Sequence, residues 1–238
     1  MRHLLRLTGL LAACLVSTAG AQTPGNAVDI DADVHRLLME NEFFRVFDAR
    51  AAKGTKSPMH SHAPMVLVSI GKARFRISTP DGKTAILDLN PGQAFWRQNT
   101  QHSWELLAGE LHAIGVEIKS AQGGAEPVIG ARADNDAAKV DPEAHHVLFE
   151  NPHVRVFEGR TSIGRKSPMH SHAPTLLISL DWIRLKLTTP EGKTGIHDFS
   201  PGSVQWLGDG GTHSWEAIAG SGRVIAIEVK AAEAARKK

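Results

Sequence analysis

Lys56-Ser57-Pro58-Met59-His60-Ser61-His62-Ala63-Pro64 occurs twice in this chain, the second time unchanged as Lys166 to Pro174. Working outward from it, residues 35–96 laid over 145–206, an offset of 110, are identical at 31 of 62 positions. His35, Glu40 and Asn41 match His145, Glu150 and Asn151, and Arg45-Val46-Phe47 matches Arg155-Val156-Phe157. After Trp96 and Trp206 the second copy gains one residue, and His102-Ser103-Trp104-Glu105 aligns with His213-Ser214-Trp215-Glu216. The copies close together at Val116-Glu117-Ile118-Lys119 and Ile227-Glu228-Val229-Lys230. Two units of this length are a duplicated domain, since solenoid repeats run to about 20–50 residues.

Within each copy the apolar period is two. Ala73, Phe75 and Ile77 alternate with Arg74, Arg76 and Ser78, and Ile114, Val116 and Ile118 alternate with Gly115, Glu117 and Lys119. This is the pattern of half-buried strands. Thr79-Pro80-Asp81-Gly82-Lys83 and Thr189 to Lys193 read as hairpin turns in which the glycine takes a positive φ. No segment has a helical period, so many short strands between turns predict an all-β sandwich or barrel in each copy. The expected organisation is residues 1–21 as a signal segment, 22–120 as the first domain and 121–143 as a linker rich in Ala, Gly and Asp. A second domain follows over 144–230, then a solvated basic tail over 231–238.

The N-terminus carries Arg2 and Arg6, a short apolar run from Leu7 to Val16, and Ala19-Gly20-Ala21. That combination predicts export with cleavage after Ala21, giving a periplasmic or secreted protein. Leu11-Ala12-Ala13-Cys14 also resembles a lipoprotein box, but the apolar run before it is very short, which favours cleavage after Ala21. Cys14 is the only cysteine, so the mature chain has no disulfide and no thiolate ligand. No later stretch is apolar for long enough to span a bilayer. Without Arg2 and Arg6 the chain has 25 basic and 25 acidic side chains. A neutral chain gives no electrostatic basis for nucleic acid binding.

His60 and His62 lie two apart on an expected strand, so both imidazoles project from one face, as do His170 and His172. His102 and His213 follow about 40 residues later in the same relative place, and a barrel can bring each to its pair. These six are the candidate ligands of a transition metal. His35, His112, His145, His146, His153 and His197 show no ligand spacing and are expected at the surface or in loops, although His35 and His145 recur. Trp104 and Trp215 share the face of the third histidine and are expected inside the barrel, as core or as the wall of a ligand pocket. Arg74 and Arg184 are expected to brace hairpins, and Asp88 and Asp198 to cap the Pro-Gly turns. Glu105 and Glu216 alternate away from the histidine face. The chain has no tyrosine, nucleotide loop or serine-centred catalytic motif.

Both copies resemble the cupin superfamily. Gly54 then five residues then His60-Ser61-His62, and Gly164 with His170-Ser171-His172, are similar to the first half of its first motif, G-x5-H-x-H-x3–4-E-x6-G. Gly202, Gly210 and His213 are similar in spacing to its second, G-x5-P-x-G-x2-H-x3-N; Gly92 to His102 is one residue shorter and has Gln98 and Thr100 in place of the proline and second glycine. The resemblance covers nearly all of the mature chain. It implies two tandem double-stranded β-helix (jelly-roll) barrels, a bicupin. The motif glutamate is missing, since Val66, Leu67, Leu176 and Leu177 stand at its positions. The implied site is therefore three neutral imidazoles around a divalent ion: iron, zinc, copper or nickel, with manganese disfavoured. Two function classes stay open. One is a metal-dependent oxygenase acting on a small organic molecule. The other is a non-catalytic metal- or ligand-binding or sensing protein of the cell envelope. A storage-protein role is disfavoured by the retained histidines. Cupins also pair, which implies a homodimer, although the duplication can mimic such a pair within one chain.

Overall fold

The structure is a computed structural model that describes residues 25–122 and 132–236. The expected signal segment, its cleavage point and Cys14 lie outside the described residues, as does the middle of the expected linker.

The first copy comprises α1 (Ala27–Ile30), β1 (His35–Glu40), β2 (Phe44–Ala51), β3 (Lys56–His62), β4 (Met65–Ser69), β5 (Ala73–Ser78), β6 (Thr84–Leu89), β7 (Ala94–Arg97), β8 (Thr100–Gly109) and β9 (Leu111–Ile118). The second repeats the series with α2 (Ala137–Val140), β10 (His145–Glu150), β11 (Val154–Thr161), β12 (Lys166–His172), β13 (Thr175–Ser179), β14 (Ile183–Thr188), β15 (Thr194–Phe199), β16 (Val204–Leu207), β17 (Gly211–Gly220) and β18 (Gly222–Val229), then adds α3 (Lys230–Arg236). Each copy folds into a five-stranded sheet, β1-β2-β9-β4-β7 or β10-β11-β18-β13-β16, facing a four-stranded sheet, β3-β8-β5-β6 or β12-β17-β14-β15. The strand pairs are antiparallel. The hairpins fall where the sequence places them, and Gly82 takes φ 78° between β5 and β6.

The central strands of the five-stranded sheets, β2, β9 and β4 or β11, β18 and β13, are largely buried on both faces, and the two faces serve different cores. Along β2, Phe47 and Ala49 point into their own barrel. Phe44 and Val46 point the other way, into a cluster that also contains Val154, Val156, Leu176, Ile178, Ile225 and Ile227 from the second copy. The barrels therefore pack sheet against sheet through a shared apolar layer. Trp206 of the second barrel meets Phe44 at 4.8 Å, and Trp96 of the first stacks on His153 at 5.8 Å.

Two expectations change. Within the expected linker, 121–143, residues 133–141 form α2 and its flanks, and Asp136 bridges Ser171 as Asn26 bridges Ser61. The expected solvated tail begins instead inside α3, where Ala232 is buried and joins the core between the barrels, while Ala235 and Arg236 are exposed as expected; Lys230, the last residue of the expected second domain, is buried as well. The Lys230 ammonium is held by Glu150 and the Asn151 carbonyl. Neither helix is long enough for its period to show in sequence.

Inside the first barrel, the Phe47 ring lies directly over Gly115; a Cβ there would sit 2.1 Å from Phe47 Cζ. The same ring stacks on His62 at 5.3 Å. Gly115→Ala should therefore cost about 1–3 kcal/mol by overpacking and push Phe47 onto the histidine. Urea unfolding with an unchanged midpoint would show that the contact is slack.

Candidate metal centre

The repeated KSPMHSH stretch makes its site through a bulge. In β3 the pairing with β8 runs Lys56↔Glu105 and Ser57↔Trp104, breaks, and resumes at His60↔His102. Pro58, which has no N–H to give a ladder, sits in the break, where proline is tolerated. Its freed carbonyl accepts the His60 Nδ1–H at 2.8 Å. The second copy repeats this with His170 Nδ1 and the Pro168 carbonyl at 2.7 Å. Each of these rings therefore carries its proton on Nδ1 and turns the Nε2 lone pair into the barrel.

His35 belongs to the same cluster, which corrects the expectation that it and His145 lie at the surface. His35 is 3% exposed and His145 5%. His35 Nδ1 lies 3.3 Å from the Asp31 carbonyl and His145 Nδ1 lies 3.1 Å from that of Asp141. The tight triads are His35, His60 and His62, and His145, His170 and His172; one nitrogen from each ring lies within 4.8 Å of the others. His102 and His213 complete the clusters, each directly across the strand pair from His60 or His170, with ring centres at 4.6 and 4.8 Å. The rings of the six expected ligands lie within 5.3 Å of one another, centre to centre, inside their respective barrels, with His102 and His213 outside the tight triads that His35 and His145 join.

Asp31 is a second residue that sequence reasoning missed. Its carbonyl holds His35, and its carboxylate accepts from Ser57 Oγ, which lies 3.1 Å from His60 Nδ1. Asp141 does the same for His145 and, through Ser167, for His170. Carrying the repeat four residues further back aligns Asp31-x3-His35 with Asp141-x3-His145, and that pattern was the available signal.

His60 Nε2 and His62 Nε2 stand 3.1 Å apart. His62 Nδ1 faces Glu117 Oε1 at 3.5 Å and is buried with no hydrogen-bond partner. The separation of the two Nε2 atoms suits neighbouring ligands on one ion, about 3.0–3.4 Å for metal–nitrogen bonds of about 2.0–2.1 Å, and it is also a hydrogen-bond distance. In the second barrel His170 Nε2 is buried with no hydrogen-bond partner. Donor type and spacing thus fit a first-row cation, and the bonds to the Asp31 and Pro58 carbonyls are the outer support such ligands use.

Burial drives the imidazole pKa values down, reinforced by neighbouring rings: His35 to about 3, His60 to about 4, and His102 to about 2. His145 and His213 fall to about 4, and His172 well below its usual value. The rings are neutral at pH 7, the form that binds metal. Folded pKa values lie below those of the unfolded chain, so the unfolded state takes up more protons between about pH 6.5 and 4. Metal-free protein should lose stability as pH falls through that window, each ring contributing up to about 1.4 kcal/mol per pH unit. Urea unfolding in EDTA at several pH values checks this; a flat profile would mean that the rings titrate alike in both states.

The remaining expectations divide. Trp104 and Trp215 are buried inside the barrels and line both cavities, serving as core and as wall. Arg74 and Arg184 brace the hairpins, each through two bonds to Asp88 or Asp198, so those aspartates pair across the strands rather than capping the turns. Glu105 and Glu216 face outward to Lys56 and Lys166. Val66 and Leu176, at motif-glutamate positions, point into the layer between the barrels. His112 faces Asp48 at 3.5 Å, and His197 lines the cavity of the second barrel.

The two barrels differ behind the histidines. Glu117 accepts from Asn26 Nδ2 and the Ala63 N–H. Burial works against its charge, but His62 and these two donors outweigh that and hold its pKa low. In the second copy Asp136 replaces Asn26 and has no amide to give. Arg155 turns inward instead, with two bonds to Asp136 and one to Glu228, and Arg132 joins at 2.9 Å. Burial dominates at Glu228 and raises its pKa despite both guanidinium groups. The cavities differ too, at about 50 Å³ in the first barrel and 110 Å³ in the second. Phe75 and Met65 of the first barrel become Leu185 and Thr175 in the second.

No protein-family profile matches the sequence. No curated protein matches it either. Solved structures do match. They include procruciferin, an 11S globulin from Brassica napus (10% identity, 79% of this chain and 76% of that one, TM-score 0.54). An oxalate decarboxylase is similar at 13% identity, over 80% of this chain and 69% of that one, with TM-score 0.51. The oxalate decarboxylase of Lactobacillus farciminis is similar at 11% identity, over 83% and 84%, with TM-score 0.50. Strand order, duplication and these likenesses agree: this chain has the bicupin fold, two tandem jelly-roll barrels, each enclosing a histidine cluster that could hold a metal ion.

Proposed function

We propose that this chain is an exported bicupin metalloprotein that holds one divalent transition metal in each barrel and uses it to bind and act on a small organic molecule. The observation that supports it most is the approach of His60 Nε2 and His62 Nε2 to 3.1 Å, in a buried cluster where the Nδ1 atoms of His60 and His35 are held by backbone carbonyls. The tight triad supplies three ligands, and His102 or His213 the fourth. Four neutral imidazoles suit iron, zinc, copper or nickel better than manganese. A bound ion of this kind supplies Lewis-acid or redox chemistry to a ligand held beside it. The residues of the chain keep the ligand nitrogens deprotonated, exclude water with Phe47, Trp104, Phe157 and Trp215, and leave a cavity beside the cluster. Export rests on the pattern of residues 1–21.

A non-catalytic envelope metal-binding role is the second reading, and the fourth histidine favours it, because each added ligand closes a position that a substrate would need. Titration of EDTA-treated full-length chain with Co²⁺ separates these from a metal-free barrel. The visible ligand-field band should saturate at about two equivalents and shift when a candidate substrate enters an open position. A band unmoved by a broad panel of small acids, diketones and thiols favours the non-catalytic role. Absence of a band, in a folded chain, removes the metal reading.

A further inference from the structure

Each cavity has one arginine in its lining, but Arg160 of the second is bound by Glu158, whereas Arg97 of the first has no such partner. Arg97 ends β7 and pairs across to Met65, which belongs to the interior of the first barrel. Residues directly opposite in an antiparallel pair share a face, so Arg97 also looks inward. It lines the cavity together with His62, His102 and Trp104. Among the described residues it is the one arginine or lysine withdrawn from full exposure that has neither a hydrogen bond nor an ion pair. Every other such cation is matched: Arg155 by Asp136, Lys230 by Glu150, Arg165 by Asp141 and Arg223 by Glu158. Burial lowers the Arg97 pKa from its usual value, so its charge is held at a cost that nothing in the barrel offsets. In the second barrel its place is taken by Leu207, among Leu177, Leu185 and Leu187.

We propose that the first barrel is an anion site, taking a short carboxylate that lies between the Arg97 guanidinium and the histidine cluster, while the second barrel takes a neutral, apolar molecule. The guanidinium offers a planar pair of N–H donors matched to a carboxylate. The cavity limits its size: about 50 Å³ holds only a few water-sized groups of about 10–15 Å³ each, hence a ligand of about four non-hydrogen atoms. The inference builds on the reading of the cluster as a metal centre, since a dication there adds to the attraction, but it stands on Arg97.

The test is calorimetric titration of full-length chain with sodium acetate at constant ionic strength, in EDTA-treated and in zinc-loaded form, with acetamide as the neutral isostere. Wild type should bind one acetate, acetamide at least about tenfold more weakly, and zinc should tighten acetate binding. Arg97→Leu places in the first barrel the residue its twin already carries; it should weaken acetate binding at least about tenfold, and Arg97→Lys should restore part of it. Leu207→Arg should create a second acetate site. Acetate binding unchanged in Arg97→Leu, or no saturable binding by wild type in either form, overturns the proposal. Acetate binding through Arg97 in a chain that takes up no zinc leaves the anion site standing and removes the metal reading. Zinc uptake without acetate binding does the reverse.

Discussion

His35→Ala should weaken metal binding in the first barrel as severely as His60→Ala, at least about a hundredfold. Loss of an outer support alone costs about 10–100-fold, and His35 is a direct member of the triad, with its nitrogen within 4.8 Å of those of His60 and His62. The substitution also removes the bond to the Asp31 carbonyl and leaves a void beside Phe47, whose ring meets His35 at 5.5 Å. Competition against a chelator of known affinity reads the effect, with the second barrel as internal control because His145 is untouched. An unchanged first site would return His35 to a structural role and leave His60, His62 and His102 as the ligands, the set that spacing alone suggests.

Arg155→Ala should destabilise the fold by about 3–5 kcal/mol, whereas Arg45→Ala, at the equivalent position, should cost less than about 1 kcal/mol. Arg155 is 6% exposed and is shared by Asp136 and Glu228, themselves 5% and 1% exposed. Removing it strands two carboxylates, with Arg132 left to serve Glu228 alone. Burial would raise the Asp136 pKa, but the Arg155 bonds and charge, with help from Arg132, outweigh it and hold the carboxyl low. Arg45 points outward, to a partly exposed Glu40 that Lys119 also holds. Urea midpoints of the two variants decide it; equal losses would mean that the network behind the second cluster bears no more load than a surface pair.

The contrast between Arg45 and Arg155 shows where sequence stops being legible. The repeat makes them look alike, yet with Asp136 in place of Asn26 the second arginine turns inward to that carboxylate while the first points outward to Glu40. The barrels themselves are legible because period-two alternation and Pro-Gly turns are local features. So is the H-x-H pair, since strand geometry alone puts His60 and His62 on one face. The tightness of the His60–His102 pairing is not, because it depends on the register across the bulge at Pro58. His35 and Asp31 escape because their partners are distant in sequence: β1 reaches the site only through its pairing with β2. The apolar layer between the barrels is half legible. Phe44 and Val46 announce a buried strand, but nothing local says that a second copy of the same sheet covers it. Of the two motif-glutamate positions Val66 faces that layer, while Leu67 lines the cavity with no carboxylate to offer; Glu117, which closes the first repeat, lies behind His62 instead.

Metal content of the full chain, purified without a histidine tag, tests the whole scheme most directly. Elemental analysis should find about two equivalents of a first-row transition metal per chain, falling to about one in the His170→Ala/His172→Ala double variant with its fold retained. Less than about a tenth of an equivalent, even after incubation with iron, copper, zinc, nickel and manganese in turn, would contradict it and leave two barrels whose histidines serve packing alone.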